Sequence, residues 1–279
     1  MPELPEVETG CLLVRRVAAG RRIVGVEAAP DPIVFERVPP ERITRALLGR
    51  RVKAVRRHGK HFWLELDQRP WPIFHFGMAG GVHVPRRRSV RLVSHGEKGP
   101  GAAWPPRFTK LVLTFEDGGQ LAVTDARRLG RIRLRMDPAT EPPISLLGFD
   151  ALRGLPSSAH FIGLVKVRGA PIKALLLDQS FSAGVGNWIA DEVLYRARID
   201  PRRRARTLSP AEARRLRLAL RDVVATAVRV RADSDRFPRT WLFHYRWGKQ
   251  MGALTARGEA IRHITVGGRT PAWVPAIQR

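Results

Sequence analysis

The strongest constraint on the fold is a change of hydrophobic period partway along the chain. From about residue 22 to 135, short runs of alternating apolar and polar residues, such as RIVGVEA, HFWLEL, KLVLTF and RIRLRM, are separated by glycine, proline and Asp-Gly turns, as in FEDGGQ. A period of two puts one face of each strand in a core, so this half predicts a β-sandwich. Beyond DPATEPPI, at 137–144, helical spacing takes over, and helices are expected over 145–153, 157–166, 171–178, 187–196 and 209–231. The last opens with Ser209-Pro210-Ala211-Glu212, a capping box with proline where no amide donor is needed. Another helix is expected over 5–19, where Val7, Cys11, Val14 and Ala18 share a face that ends at Gly20. From 241 onwards, WLFHYRW, IRHITV and TPAWVP around Gly267-Gly268 revert to strand and turn character and predict a terminal hairpin. The segment 85–106, rich in Arg, Gly and Pro without a period, reads as a long surface loop. The expectation is therefore an α+β protein of two domains, 1–137 and 145–279.

A chain of 279 residues can bury two cores without metals or disulfides. Its single cysteine, Cys11, excludes an internal disulfide and any zinc site built from cysteine pairs, and points to a reducing compartment. Neither a basic leader with an apolar run nor an apolar segment long enough to span a bilayer is visible, so a soluble intracellular protein with no membrane partner is expected. Lysine and arginine number 50 against 25 acidic residues, a formal net charge of +25. That excess implies a polyanionic partner, because arginine forks match phosphate oxygens and each neutralised phosphate releases counterions. Ribosomal and chromatin proteins share such a charge, so it does not name an enzyme.

Chemistry enters at the first residues, MPELPEVETG. Removal of Met1 would leave Pro2 with a free secondary amine, and an α-amino group has a pKa of about 8, roughly two units below lysine. Such an amine is partly nucleophilic at neutral pH and can form an iminium at a sugar C1′, with Glu3, Glu6 and Glu8 close by as proton donors. The same residues also read as a helix start, with prolines and acids near its positive end. Taken alone, they leave both readings open.

The opening MPELPEVET resembles that of the formamidopyrimidine-DNA glycosylase and endonuclease VIII family. The resemblance implies that Pro2 is a Schiff-base nucleophile, Glu3 its proton donor and Glu6 a supporting carboxyl. RRHGKHFWLEL is similar to the family strand whose lysine contacts DNA phosphate and assists the lyase step, which implicates Lys60; a solvated turn lysine is the plain alternative. FHFGMAGGV resembles the segment whose methionine fills the space left by an extruded base, pointing to Met78, which otherwise reads as a core methionine. TDARRLGRIRL resembles a loop that enters the duplex, with Arg127 and Arg128 retained and Leu129 in place of the family's phenylalanine. Leucine can still act as an apolar wedge. Phe108 stands where bacterial members carry a DNA-contacting histidine.

LLLDQSFSAGVGNWIADEVLYRARIDP resembles the family's helix-two-turn-helix motif, which implies that Asn187 is a ligand of the DNA backbone. WLFHYRWGK and VGGRTPAWVP resemble the zincless finger of plant members, here at about 241–279. Leu254, Arg257, Val274 and Ile277 occupy the positions of the zinc-binding cysteines, and no metal is expected. Arg269 matches the arginine that grips phosphates and assists δ-elimination.

The resemblance implies a β-sandwich with an N-terminal helix, then a helical domain with helix-two-turn-helix and hairpin finger, and an active site in the cleft between them. The implied activity is that of a bifunctional DNA glycosylase and AP lyase in base excision repair, with no cofactor, acting as a monomer on damaged double-stranded DNA. Its setting would be the bacterial cytoplasm at the nucleoid, or a nucleus. RADSDRFPRTW, at 231–241, leaves little room for the loop that folds over 8-oxoguanine, so formamidopyrimidines and hydantoins are the expected substrates, with weak 8-oxoguanine activity. Two alternatives are an endonuclease VIII-like enzyme for oxidised pyrimidines and a catalytically inactive basic DNA-binding protein.

Overall fold

A computed structural model describes residues 2–85, 103–247 and 252–279, so most of the expected loop at 85–106 lies outside the described residues. The chain divides into two units, Met1–Leu146 and Leu147–Arg279.

The first unit begins with α1, Leu4–Ala18, whose buried positions Val7, Cys11, Val14 and Ala18 form the stripe expected from the sequence, joined by Leu4 one residue before the expected start. Its strands are β1 (Ile23–Ala28), β2 (Val52–His58), β3 (His61–Leu66), β4 (Trp71–His75), β5 (Gly81–His83), β6 (Thr109–Phe115), β7 (Gln120–Thr124) and β8 (Arg131–Arg135). They form two antiparallel four-stranded sheets, in the orders β1-β6-β7-β5 and β2-β3-β4-β8. Alternation works as predicted in β3, where Phe62, Leu64 and Leu66 point into the core and their neighbours are less buried. Across the β3–β4 pair, Phe62 stacks on Phe74 with ring centroids 4.7 Å apart, a contact worth about 0.5–1.5 kcal/mol beyond area burial. The helix and both sheets share one core, in which α1 contributes Val7, Cys11 and Val14.

One element was not foreseen. Within the stretch read as strands lies a short helix, α2, Pro40–Leu47, entered through Pro39-Pro40 and burying only Ile43 and Leu47. Two apolar anchors four residues apart are too few to stand out as a helical period.

The second unit contains α3 (Ser158–Lys166), α4 (Ile172–Leu177), α5 (Asn187–Ala197) and α6 (Pro210–Arg229). The side chain of Ser157 accepts from the His160 amide at the start of α3, and α6 starts with the predicted Ser209–Glu212 capping box. The helix expected over 145–153 is absent. A 3-10 turn at Ile144–Leu146 leads instead into β9, Phe149–Asp150, which pairs in parallel with β10, Ser182–Ala183. Gly148 explains the difference: a Cβ there would sit 2.3 Å from the Phe181 carbonyl oxygen, so glycine allows a backbone approach that no helix with side chains would permit. The terminal hairpin is present, with β11 (Arg262–His263) antiparallel to β12 (Ala272–Trp273) and bridges at Leu254–Ala260 and Val266–Arg269. The preceding WLFHYRW run is a 3-10 turn at Leu242–His244, not a strand, because its aromatics pack on α5 rather than pairing edge to edge.

Candidate functional site

Pro2 is buried just before Glu3, the N-cap of α1. The Glu6 carboxylate accepts from the Glu3 amide at 3.0 Å while the Glu3 side chain faces the Glu6 amide, so the two acids close a reciprocal cap. Both are buried. Burial first, and then the neighbouring Glu3 charge, raise the Glu6 pKa to about 7. The start of α1 thus holds a carboxyl pair that retains a proton into the neutral range, next to Pro2.

One turn further, Glu8 makes a buried ion pair with Arg57 on β2, and Arg57 Nη1 donates to the Gly59 carbonyl at 2.9 Å. Gly59 and Lys60 form the two-residue turn between β2 and β3, whose register closes at His58–His61. The Glu8–Arg57 pair therefore fastens the turn bearing Lys60 to α1. Alongside, the His61 and His75 rings meet across the strands, tilted at 31° with centroids 4.6 Å apart. Burial, then the nearby Lys60 charge, push the His75 pKa down to about 4. The ring is neutral at pH 7, and its Nδ1 accepts the Gly77 amide at 3.2 Å.

That bond helps to set the loop carrying Met78. Gly77 has φ +60°, and a Cβ on it would lie 2.4 Å from the Leu129 carbonyl carbon, so the Met78 loop and the Leu129 loop touch backbone to backbone. The second loop is closed by one buried carboxylate: Asp125 Oδ1 accepts the Arg127 amide at 3.2 Å and Oδ2 the Gly130 amide at 2.6 Å. Between these bonds Arg127, Arg128 and Leu129 are exposed. Arg128 leans back: its guanidinium makes a two-pronged ion pair with Asp31, which also accepts from Lys110 at 2.8 Å. Burial alone would raise the Asp31 pKa, but Lys110 and Arg128 outweigh it and hold the carboxyl well below its ordinary range. Asp31, Asp125, Arg57 and His75 thus position the implicated residues, and sequence reasoning missed them as such. Asp125 had a signal, since an aspartate two residues before a loop tip is the usual Asx-turn arrangement.

In the second unit, Asn187 opens α5, and its Nδ2 donates to the Thr270 carbonyl at 3.4 Å, next to Arg269 in the hairpin. The structure thus brings these two expected DNA ligands together, with Arg269 exposed. The Asn187 Oδ1 is buried without a hydrogen-bond partner.

Behind them lies an ionic hub. Asp191 accepts from Lys173, from Arg246 Nε at 3.0 Å and Nη2 at 2.5 Å, and from the Ala272 amide at 3.1 Å; Lys173 also donates to the Asn187 carbonyl at 3.0 Å. Lys173, Asp191 and Arg246 are all buried. Beside them, burial raises the Glu192 pKa to about 8, and its Oε2 accepts the Phe243 amide at 3.0 Å. The positions noted in place of cysteines carry a mixed set: Val274 is wholly buried in an apolar cluster with Leu242, Ile261 and Ala272, against which Ile277 packs, whereas Leu254 and Arg257 are exposed. Gln278 adds a clasp, accepting the Val274 amide at 2.6 Å and donating to the Ile199 carbonyl at 3.0 Å. Apolar packing around Val274 and a buried charge network thus hold the hairpin together.

Among the described residues no group of histidine, cysteine, aspartate and glutamate is arranged to hold a metal ion, and no helix is long and apolar enough to cross a membrane.

Comparison with known proteins agrees with this arrangement. Residues 1–132 match the formamidopyrimidine-DNA glycosylase N-terminal domain and residues 147–238 the formamidopyrimidine-DNA glycosylase H2TH domain. A formamidopyrimidine-DNA glycosylase of Arabidopsis thaliana is 39% identical over 279 residues, covering 100% of this chain and 71% of that protein. One from Geobacter metallireducens is 31% identical, covering 100% of both. Among solved structures, the MutM (Fpg) protein of Thermus thermophilus superposes with a TM-score of 0.77 at 33% identity, covering 99% of this chain and 98% of that one. The two matched domains span most of the sequence, and the chain belongs to the formamidopyrimidine-DNA glycosylase family.

Proposed function

We propose that the protein is a bifunctional DNA glycosylase and abasic-site lyase that removes oxidised bases from duplex DNA, with the amine of Pro2 as nucleophile once Met1 has been removed. The observation that carries this reading is the buried Glu3–Glu6 pair beside Pro2, one of whose carboxyls holds a proton to about pH 7. A carboxyl kept neutral next to an amine of low basicity is the pairing that acid-assisted imine chemistry requires.

The damaged nucleotide leaves the stack, while Met78, Arg127 and Leu129 enter the vacancy. The Pro2 nitrogen attacks C1′ as the bond from C1′ to the base breaks, and the proton given up by the Pro2 nitrogen is taken by the departing base. The proton that the Glu3–Glu6 pair retains passes through Glu3 to the ring oxygen, opening the sugar and leaving an iminium between Pro2 and C1′. The iminium acidifies the C2′ hydrogen, whose loss expels the 3′ phosphate, and a second elimination expels the 5′ phosphate. Lys60, Asn187 and Arg269 hold the phosphates, and Arg269 assists the second elimination. Glu6 keeps Glu3 in place through the shared cap. Arg128, held by Asp31, supports the loop from behind. No external cofactor takes part.

Preference for formamidopyrimidines and hydantoins over 8-oxoguanine is supported by the short passage after α6, where a 3-10 turn at Ser234–Arg236 leads directly to the buried Trp241. The reading places the protein with the cell's DNA in a reducing compartment, in keeping with a single buried cysteine, Cys11.

Borohydride trapping on abasic-site DNA is the direct test. The mature protein should form a covalent adduct, and Pro2→Gly should reduce it by orders of magnitude. An undiminished adduct in the variant would overturn the assignment of the nucleophile, and intact mass reports whether Met1 is absent from the sample.

A further inference from the structure

Three large apolar side chains stand exposed around the two touching loops: Met78 at 37%, Leu129 at 43% and Phe108 at 43% relative exposure. Phe108 is joined to the other two by the backbone, since its carbonyl oxygen accepts the Asp125 amide at 3.0 Å, and the Asp125 carboxylate closes the Arg127–Leu129 loop. Its φ of +66° is unusual for a residue with a bulky side chain. Against that cost, the Arg107 guanidinium lies over the ring, 4.5 Å from its centroid. Among the described residues of the first unit, Phe108 is the only large exposed apolar residue with an aromatic ring.

We infer that Phe108 is a base-stacking residue, one that places its ring against an unstacked base of duplex DNA beside the lesion and supplies the aromatic contact that Leu129 does not. Its role rests on the lesion-binding reading given above and extends it to a residue and a contact. Charge favours DNA over an apolar protein partner as the occupant: Arg107 lies over the ring, and the Phe108 carbonyl is bonded to Asp125, whose loop bears the exposed Arg127, so a partner at this site meets cationic side chains close by. A stacked base has an apolar face bordered by phosphates, which matches that pattern, and base–aromatic stacking tolerates any base. Leucine at 129 is then sufficient as a spacer, because separation of the base steps and stacking on the freed base are divided between two loops.

The test is binding to a duplex with a tetrahydrofuran abasic analogue and 2-aminopurine opposite it, read by anisotropy and by 2-aminopurine fluorescence, for the wild type, Phe108→Leu and Phe108→Trp. Phe108→Leu should weaken binding to this duplex about 10-fold, the scale of one lost base–aromatic stack. It should also alter 2-aminopurine quenching and leave binding to undamaged duplex within about 2-fold, while Phe108→Trp restores both signals. Wild-type behaviour in Phe108→Leu overturns the inference, as does an equal loss on damaged and undamaged duplex, which would mark a backbone contact. Equal loss in the leucine and tryptophan variants would mark a constraint of the φ +66° position and overturn it as well. Because binding to tetrahydrofuran needs no attack at C1′, failure of borohydride trapping sinks the Pro2 reading without touching this result.

Discussion

Replacing Asp191 with asparagine isolates the contribution of the buried charge network behind the terminal hairpin. The substitution keeps shape and one acceptor oxygen but removes the negative charge facing Lys173 and Arg246, which are 0% and 8% exposed. Two buried cations then share a site with only neutral acceptors, among them the Asn187 carbonyl. Removing one partner of a buried ionic cluster costs about 3–5 kcal/mol, because the remaining charge stays desolvated. For a chain of this size each kcal/mol moves Tm by about 2–4 °C, so Asp191→Asn should melt about 6–20 °C below the wild type. Scanning calorimetry of the full chain reads the shift, and chelator treatment of the wild type should leave Tm unchanged. The triple replacement Lys173→Met, Asp191→Leu, Arg246→Met should recover much of the loss, since an apolar set of similar volume carries no desolvation penalty. A fall of less than about 2 °C in Asp191→Asn, the scale of under 1 kcal/mol, would refute the claim that charge pairing anchors the hairpin.

Two further outcomes follow from shifted carboxyls. Glu192 holds its proton to about pH 8 in the folded protein against a reference of 4.5, so the native state binds the extra proton between those values and stability falls as pH rises through them, by no more than about 5 kcal/mol. Glu192→Gln should lessen that decline, and Tm measured across the neutral range with a slope identical to wild type would count against it. Glu6 loses its proton above about pH 7, so base excision should slow as pH rises past that point, and Glu6→Gln should flatten this limb of the pH–rate profile.

The architecture was readable where the hydrophobic period ran long. α1 and α6 each offer several buried positions at helical spacing, and β3 alternates cleanly. α2 escaped because Ile43 and Leu47 are its only buried anchors, and the segment at 145–153 misled because its apolar residues suggest a helix while Gly148 packs against the distant Phe181 carbonyl. A close approach between residues far apart in sequence leaves no local pattern. The same limit applies to the candidate site. Pro2, Glu3 and Lys60 sit in recognisable strings, whereas the groups that orient their surroundings, Arg57 to Glu8 and Asp191 to Arg246, are pairs separated by 49 and 55 residues. Charge in the sequence announced a polyanionic partner, but it could not show that Arg128 is turned inward to Asp31 while its neighbour Arg127 faces out.

The Asp125 carboxylate grips both ends of its loop, at Arg127 and Gly130, and does so through backbone amides rather than through the side chains at the tip. The shape of that loop is therefore written into its base, and its tip is free to be edited. A residue such as Leu129 can change without unravelling the loop, whereas loss of Asp125 would release every tip residue at once. On the reading proposed above, the geometry with which this loop meets duplex DNA is thus set separately from the chemistry of its tip, and substitutions at the tip should change which damaged sites are held longest while leaving the loop's shape intact.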